Sequence, residues 1–259
     1  MNKISIAGPV WLASDIHLGQ NTPATSEAFR DFLKLAASEA SALLLPGDIF
    51  DAWIGDDVAV QAPPWLAQDL MAIKAVAAKI PVWVGRGNRD FLIGEALTAG
   101  LGARLLPEQA LVSVGNHTML LSHGDEYCTD DVAYQQFRAM VRNPAWQAGF
   151  LARSIPERLT MAAQARGESM AANQVKSSEI MDVNTDAVAA AILSAGVSLV
   201  VHGHTHRPGR TVMSVEGKRC ERWVLPDWDC DHVDQGKPPR GGWMVIDEDG
   251  LTLFDLDQD

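Results

Sequence analysis

The chain has 259 residues and a mass of 28.0 kDa, enough to bury a substantial core without disulfides. Hydrophobic residues make up 47 %, which argues against disorder, and 33 acidic residues against 21 Lys and Arg leave a formal charge of -12, which disfavours a nucleic-acid partner. No run of about 18 apolar residues exists to span a bilayer, and the cysteines at 128, 220 and 230, without zinc-knuckle spacing or a signal-like N-terminus, suit a reducing cytoplasm.

Met1 to Pro9 carries no functional signal. Val10 to Ser14 reads as the first central strand, with Asp15 just past it. Glu27 to Ala40 has helical periodicity through Phe29, Leu33 and Ala36-Ala37, and Leu43-Leu44-Leu45 returns as a strand. Gln68 to Lys79 predicts a second helix, and Pro81 opens a strand that runs into Gly85. This alternation favours βα units around a largely parallel inner sheet.

From about residue 131 to 180 the rhythm breaks. Phe137, Met140-Val141, Phe150-Leu151, Ile155 and Leu159 recur at helical spacing, with Pro144 and Pro156 where helices would start or break. Between Arg138 and Lys176 lie six basic residues (Arg138, Arg142, Arg153, Arg158, Arg166, Lys176) and two acidic ones, a local charge of +4. The expectation is a single domain over 1–259 carrying an inserted helical cap, basic on one side and apolar on the other. Val188 to Ser194 is then helical and Leu199 to His202 a strand. Thr211 to Val215, Arg222 to Leu225, Trp243 to Ile246 and Leu251 to Phe254 look like antiparallel strands at a sheet edge or in a second sheet. Asp227, Asp229 and Asp231 read as loop surface.

Short polar motifs follow the apolar runs: Asp15-x-His17, Gly47-Asp48, Gly87-Asn88-Arg89-Asp90, His123-Gly124-Asp125 and His202-Gly203-His204-Thr205-His206. Set at the ends of buried strands, their carboxylates, imidazoles and amide would suit two divalent metals. Asp48 is the best candidate for a carboxylate shared between ions about 3.5–4 Å apart. Asp15 and His17 converge only if the chain turns after the strand, which Gly19 is close enough to permit. His204 and His206 point the same way, one toward each ion, if their segment is extended. Gly47, Gly87, Gly124 and Gly203 let backbone pass close to the centre or take positive φ. Asp90 and Asp125 are expected to orient ligands or cap turns. Mixed oxygen and imidazole donors without thiolate suit Mn²⁺, Fe²⁺, Co²⁺ or Zn²⁺. Taken singly, each Asp or His is as well explained as a cap, a turn residue or a satisfied structural group. Five motifs in this order are not.

These residues resemble the calcineurin-like metallophosphoesterase superfamily, whose pattern of Asp-x-His, Gly-Asp, Gly-Asn-His-Asp or Glu, a later His and Gly-His-x-His covers roughly residues 10 to 207. The resemblance implies an α/β fold, a double-sheet αββα sandwich with a two-metal centre. One ion would be held by Asp15, His17, Asp48 and His206, the other by Asp48, Asn88, His123 and His204. Arg89 stands where most of the superfamily has a histidine thought to protonate the leaving group. Loss of that acid matters least for a good leaving group, such as a phosphomonoester inside a pyrophosphate.

Longer stretches resemble one family within it, the UDP-2,3-diacylglucosamine diphosphatases of lipid A biosynthesis. They are Gly87 to Gly94, Phe50-x-x-Trp53-Ile54-Gly55-Asp56-Asp57, His123-Gly124-Asp125-x-x-Cys128-Thr129-Asp130-Asp131-x-x-Tyr134, and Ser169-x-x-x-Asn173-x-x-Lys176-Ser177-x-x-Ile180 to Asn184. The resemblance implies attack of a two-metal-activated water at the α-phosphorus of an acylated UDP-sugar, usually with Mn²⁺, giving UMP and the 1-phosphate. Asp48, Asn88, Arg89, His123 and His204 would carry the chemistry. Arg89, Asp131, Tyr134, Arg166, Ser169, Asn173, Lys176 and His204 would contact substrate. Phe137, Met140, Trp146, Phe150, Ile155 and Leu159 would line an acyl groove, or else pack on their own core. A monomer is expected, peripheral to an anionic membrane surface on the cytoplasmic side of the bacterial inner membrane. The rivals are a pyrophosphatase acting on a soluble nucleotide-sugar or dinucleotide, and a non-catalytic metal-binding scaffold.

Overall fold

The computed structural model describes residues 2–175, 182–232 and 238–256. In chain order the strands are β1 (Asn2–Ile6), β2 (Val10–Leu12), β3 (Ala42–Leu45), β4 (Val82–Val84), β5 (Arg104–Leu105), β6 (Gln109–Val114), β7 (His117–Ser122), β8 (Leu199–His202), β9 (Gly209–Val215), β10 (Lys218–Val224), β11 (Gly242–Ile246) and β12 (Leu251–Asp255). The helices are α1 (Pro23–Glu39), α2 (Pro64–Ala77), α3 (Glu95–Leu101), α4 (Val132–Val141), α5 (Pro144–Leu151), α6 (Ile155–Val175) and α7 (Thr185–Ala195).

Two six-stranded sheets form, in the orders β1-β6-β7-β8-β10-β9 and β12-β11-β2-β3-β4-β5. Strand periodicity divides each run between two cores. From β2 and β3, Leu12 and Leu44 face the space between the sheets and meet Val112, Met119, Leu121 and Val201. Their neighbours Trp11, Leu43 and Leu45 face outward onto Phe29, Phe32 and Leu33 of α1 and Leu70 and Ile73 of α2. In the other sheet Leu120 and Val200 turn outward to Val188 and Ile192 of α7. The order of layers is therefore helices, sheet, sheet, helix: the αββα sandwich expected.

β2, β3 and β4 run parallel in one sheet, as do β7 and β8 in the other. Of the late strands, β9 on β10 and β11 on both β12 and β2 are antiparallel as expected. β10 itself joins its sheet by parallel pairing with β8, which corrects the expectation for Arg222 to Leu225. Four elements escape the sequence reading, the two-residue β5 among them. The stretch before Pro9 is a strand paired with β6, β6 itself forms a hairpin with β7, and α3 is too short to show a period.

Between β7 and β8 the described chain is mainly helical, in α4, α5, α6 and α7. Asn143 caps α5 by accepting from Ala145 N at 2.8 Å, with Pro144 in the first turn, where its missing N–H costs nothing. Residues 176–180 of the expected cap lie outside the described residues.

Candidate metal centre

Each motif sits just beyond the C-terminal end of a parallel strand: Asp15 and His17 after β2, Asp48 after β3, Asn88 after β4, His123 after β7, and His204 and His206 after β8. Strands from both sheets end on one rim, and backbone bonds lock the loops together. Asp15 N donates to Gly47 O at 3.3 Å, His17 N to Asp48 O at 3.0 Å, and Gly203 N to His123 O at 2.9 Å.

The backbone departs from ordinary conformations here. Among the described residues, the non-glycines at positive φ are Asp15, His17, Asp48, His204, His206 and Glu216. All but Glu216 are candidate ligands, and such strain persists only where surrounding structure enforces it. This corrects two expectations. The turn after β2 is made by Asp15 (φ 57) and His17 (φ 55) themselves, without a positive φ at Gly19. The segment after β8 is not extended, since His204 and His206 are left-handed at φ 64 and 53. His202 is consequently buried away from them, its ring against Tyr127 and its Nδ1 2.8 Å from Gly203 O. Two glycines allow close approach. A Cβ on Gly87 would lie 2.0 Å from Asp48 Oδ1, and one on Gly203 2.1 Å from Asp15 Oδ2.

The donors converge. Asp48 puts Oδ2 3.9 Å from His17 Nδ1 and Oδ1 3.7 Å from His123 Nε2, one oxygen toward each ring. His206 Nε2 lies 3.4 Å from Asp15 Oδ1 and 3.3 Å from His17 Nε2. Asn88 Oδ1 is 3.0 Å from His123 Nε2 and 2.8 Å from His204 Nδ1. Candidate ligand atoms of Asp15, His17 and His206 lie within 4.8 Å of one another, as do those of Asp15, Asp48 and His123.

Two carboxylates are each only 1 % exposed, with Arg89 Nε no nearer than 3.8 Å to Asp48. Burial pushes the Asp48 carboxyl up to about 7, with Asp90 and Asp15 adding to the rise against His123 and Arg89. Burial would lower His123, but Asp48, Asp15, Asp125 and Asp90 raise it to about 8. Burial drives His204 down to about 3 and holds His17 well below its ordinary value. Asp15 stays well below the usual carboxylate range because His206, His123 and His17 outweigh its burial. Crowded, desolvated acids facing four imidazoles form a donor set suited to divalent cations, whose charge would replace the shared protons.

Supporting residues hold this set in place. Asp90 accepts from Asp48 N at 3.1 Å, Ile49 N at 2.8 Å and Gly87 N at 2.6 Å, tying two ligand loops to one carboxylate. Asp125 accepts from Tyr134 Oη at 2.6 Å and Arg138 Nε at 2.8 Å. Asp90 fits the orienting role expected, whereas Asp125 anchors α4 through Tyr134 and Arg138. The aspartates read as loop surface are different. Asp227 is buried and lies 3.4 Å from His206 Nδ1. Asp231 accepts from Ala24 N and Thr25 N, both at 2.9 Å, at the start of α1. Neither contact has a local sequence signal: the partners of Asp231 are some 200 residues away, and Asp227 meets His206 across a loop without a motif. Cys128 is buried, and burial pushes its thiol up to about 12, in keeping with a structural role.

The helical segment supplies the other candidates. The Tyr134 ring lies against His204 with centroids 5.9 Å apart, and Asp131 accepts from Tyr134 N at 3.1 Å as the N-cap of α4. Arg89 donates to Asp51 Oδ1 at 3.0 Å, and Arg166 of α6 pairs with the same carboxylate. Asp51, unnoticed in the sequence, therefore joins the two arginines. Ser169 and Asn173 fall on α6, and Lys176 lies outside the described residues. Of the expected groove residues, Phe137, Met140, Ile155 and Leu159 are exposed. Phe150 is instead buried, and Trp146 stacks on it at 5.1 Å while packing against Phe91. The expected basic face is largely neutralised within the chain. Arg138 and Arg142 pair with Glu108, and Arg158, 2 % exposed, pairs with Asp57 and donates to Ile54 O.

The family model for calcineurin-like phosphoesterases matches residues 8–208. A Bordetella pertussis protein named UDP-2,3-diacylglucosamine hydrolase is 69 % identical over 259 residues, covering 100 % of this chain and 99 % of that protein. A Chromobacterium violaceum protein of the same name is 41 % identical over 244 residues, covering 94 % and 97 %. Among solved structures, Vps29 from Entamoeba histolytica complexed with zinc aligns with a TM-score of 0.44 and 15 % identity, covering 95 % of this chain and 90 % of that one. The chain belongs to the calcineurin-like phosphoesterase family, where its relatives include the proteins named UDP-2,3-diacylglucosamine hydrolase.

Proposed function

We propose that the chain hydrolyses the pyrophosphate bond of UDP-2,3-diacylglucosamine, with water attacking the α-phosphorus to release UMP and 2,3-diacylglucosamine 1-phosphate. Relatives similar over nearly their whole length carry the name of that hydrolase. The observation that carries the reading is the meeting of buried Asp15 and Asp48 with Asn88, His123, His204, His17 and His206 at one rim.

Asp15, His17, Asp48 and His206 would hold one divalent ion, and Asp48, Asn88, His123 and His204 the other, with manganese as first choice. When bound, such ions supply Lewis acidity, activating water and taking up charge on the phosphoryl oxygens. Arg89 lies beside Asp48 and Asp51, where its guanidinium can meet the phosphates through charge-assisted bonds. Asp51 holds Arg89 and Arg166 together until an anionic substrate competes for them. Tyr134, Asp131, Ser169, Asn173, Lys176 and His204 are assigned to the glucosamine and phosphate portion. Phe137, Met140, Ile155 and Leu159 offer apolar surface to the acyl chains, each buried methylene contributing about 0.8 kcal/mol. Among the described residues no helix is long and apolar enough to cross a membrane. Because the assigned substrate carries acyl chains, we assign a peripheral contact with the cytoplasmic side of the bacterial inner membrane, made by a monomer.

The test is phosphorus NMR of metal-stripped protein with UDP-2,3-diacylglucosamine in ¹⁸O-labelled water, with and without Mn²⁺. Manganese-dependent UMP carrying the label, beside unlabelled lipid phosphate, is the expected result. Cleavage of a deacylated UDP-sugar or a dinucleotide instead, with the lipid substrate untouched, would overturn the substrate assignment.

A further inference from the structure

The family match ends at residue 208, yet the segment after β10 closes back onto the metal centre. Trp228 N donates to Asp15 O at 3.0 Å. Beside it Asp227, 6 % exposed, sets Oδ2 3.4 Å from His206 Nδ1. The same oxygen accepts from Arg240 Nε at 2.8 Å, which fixes the carboxylate. Across the ring, His206 Nε2 faces Asp15 Oδ1 at 3.4 Å and His17 Nε2 at 3.3 Å. A neutral imidazole has one N–H and one lone pair, and the partner at one nitrogen decides which is which. Asp15 could draw the proton to Nε2, where it would block a cation. A second carboxylate at Nδ1 draws it to the far side.

We propose that Asp227 is a positioning residue that keeps the proton of His206 on Nδ1 and its Nε2 lone pair aimed between Asp15 and His17, and so sets the affinity for the ion held there. The inference rests on the two-ion reading above. Sequence inspection misses it because Asp227 lies 21 residues beyond His206, in a loop with no motif.

The test is Mn²⁺ titration of metal-stripped wild type, Asp227→Asn and Asp229→Asn, with free Mn²⁺ read by electron paramagnetic resonance. Asp229 reaches Arg240 and His232 instead of His206, and so controls for loss of loop anchoring. Wild type and Asp229→Asn should bind two ions alike. Asp227→Asn should keep one and bind the other about 10–100-fold more weakly. The ¹⁵N shifts of His206 should report an Nδ1–H ring in wild type and a mixture of tautomers in Asp227→Asn. Asp227→Glu, which retains the carboxylate, should recover most of the affinity and serves if the amide variant does not fold. Two ions bound with wild-type affinity by Asp227→Asn, or equal weakening in Asp229→Asn, would overturn the role of Asp227. A wild type that binds no Mn²⁺ would instead remove the two-ion reading, and this inference with it.

Discussion

Gly87 is where one added methyl group should do most harm. Its Cβ would stand 2.0 Å from Asp48 Oδ1, 2.5 Å from Asp48 N and 2.6 Å from Asp48 Cγ. Ordinary contact begins at 3.4 Å, so Asp48 and its loop would have to retreat by about 1.4 Å in the Gly87→Ala variant. Relief is not cheap, because Asp48 N and Gly87 N donate to the same Asp90 carboxylate. Forcing a methyl into packed surroundings costs about 1–3 kcal/mol, and for a chain of this size each kcal/mol lowers Tm by about 2–4 °C. The greater effect falls on chemistry. Misplacing a reacting arrangement by about 1 Å costs on the order of 100-fold in rate, and Asp48 is the carboxylate assigned to both ions. Turnover followed as UMP release, Mn²⁺ titration and calorimetry would separate the two effects. Gly100 in α3 has nothing within 4 Å of its added Cβ, so Gly100→Ala should leave turnover unchanged and add about 0.5–1 kcal/mol of stability. Near-native turnover and Mn²⁺ affinity in Gly87→Ala would refute the close-packed centre.

Further expected outcomes concern stability. Arg158→Ala removes a buried guanidinium bonded to Ile54 O at 2.7 Å and should cost about 1.5–3 kcal/mol in denaturant unfolding. Asp57→Asn, at a half-exposed partner, should cost less than about 1 kcal/mol, and equal losses would contradict this division. Asp231→Ala should lower stability by about 1 kcal/mol, since it strips the acceptor from the first turn of α1, and an unchanged Tm would count against it. In metal-stripped protein, burial keeps His17, His202 and His204 neutral when folded, so their contribution to stability should rise with pH as far as about 6.5. Against it runs the loss as Asp48, held protonated by burial, ionises up to about 7. His123 holds its proton to about 8, so its contribution, about 2 kcal/mol, is complete below 6.5 and lost between 6.5 and 8. Saturating Mn²⁺ should abolish that alkaline fall. A monotonic rise of Tm through pH 8 without metal would show the sign to be wrong.

Much of this molecule was legible before folding because the signals are local. Apolar runs of strand length, helical spacing in α1 and α2, and polar motifs directly behind those runs are properties of neighbouring residues. They determined the alternating βα pattern and nearly every candidate ligand, since a side chain just past a buried parallel strand has few places to go. What the sequence hid was long-range or conformational. The left-handed φ at Asp15, His17 and Asp48 is imposed by loops held against one another, and no residue spacing announces it. His202, in alternation with two candidate ligands, turned into the core because that backbone reverses. Phe150 and Trp146 share the helical period of their exposed neighbours, and only packing against Phe91 and the core decided which face they took. Arg138, Arg142 and Arg158 read as a basic face until tertiary contacts supplied Glu108, Asp125 and Asp57. Periodicity thus determined the βα alternation and the motifs the donor set, while the two-sheet layering was implied by the family resemblance. The folded chain alone decided which charges meet, because pairing depends on distances that chain order does not encode.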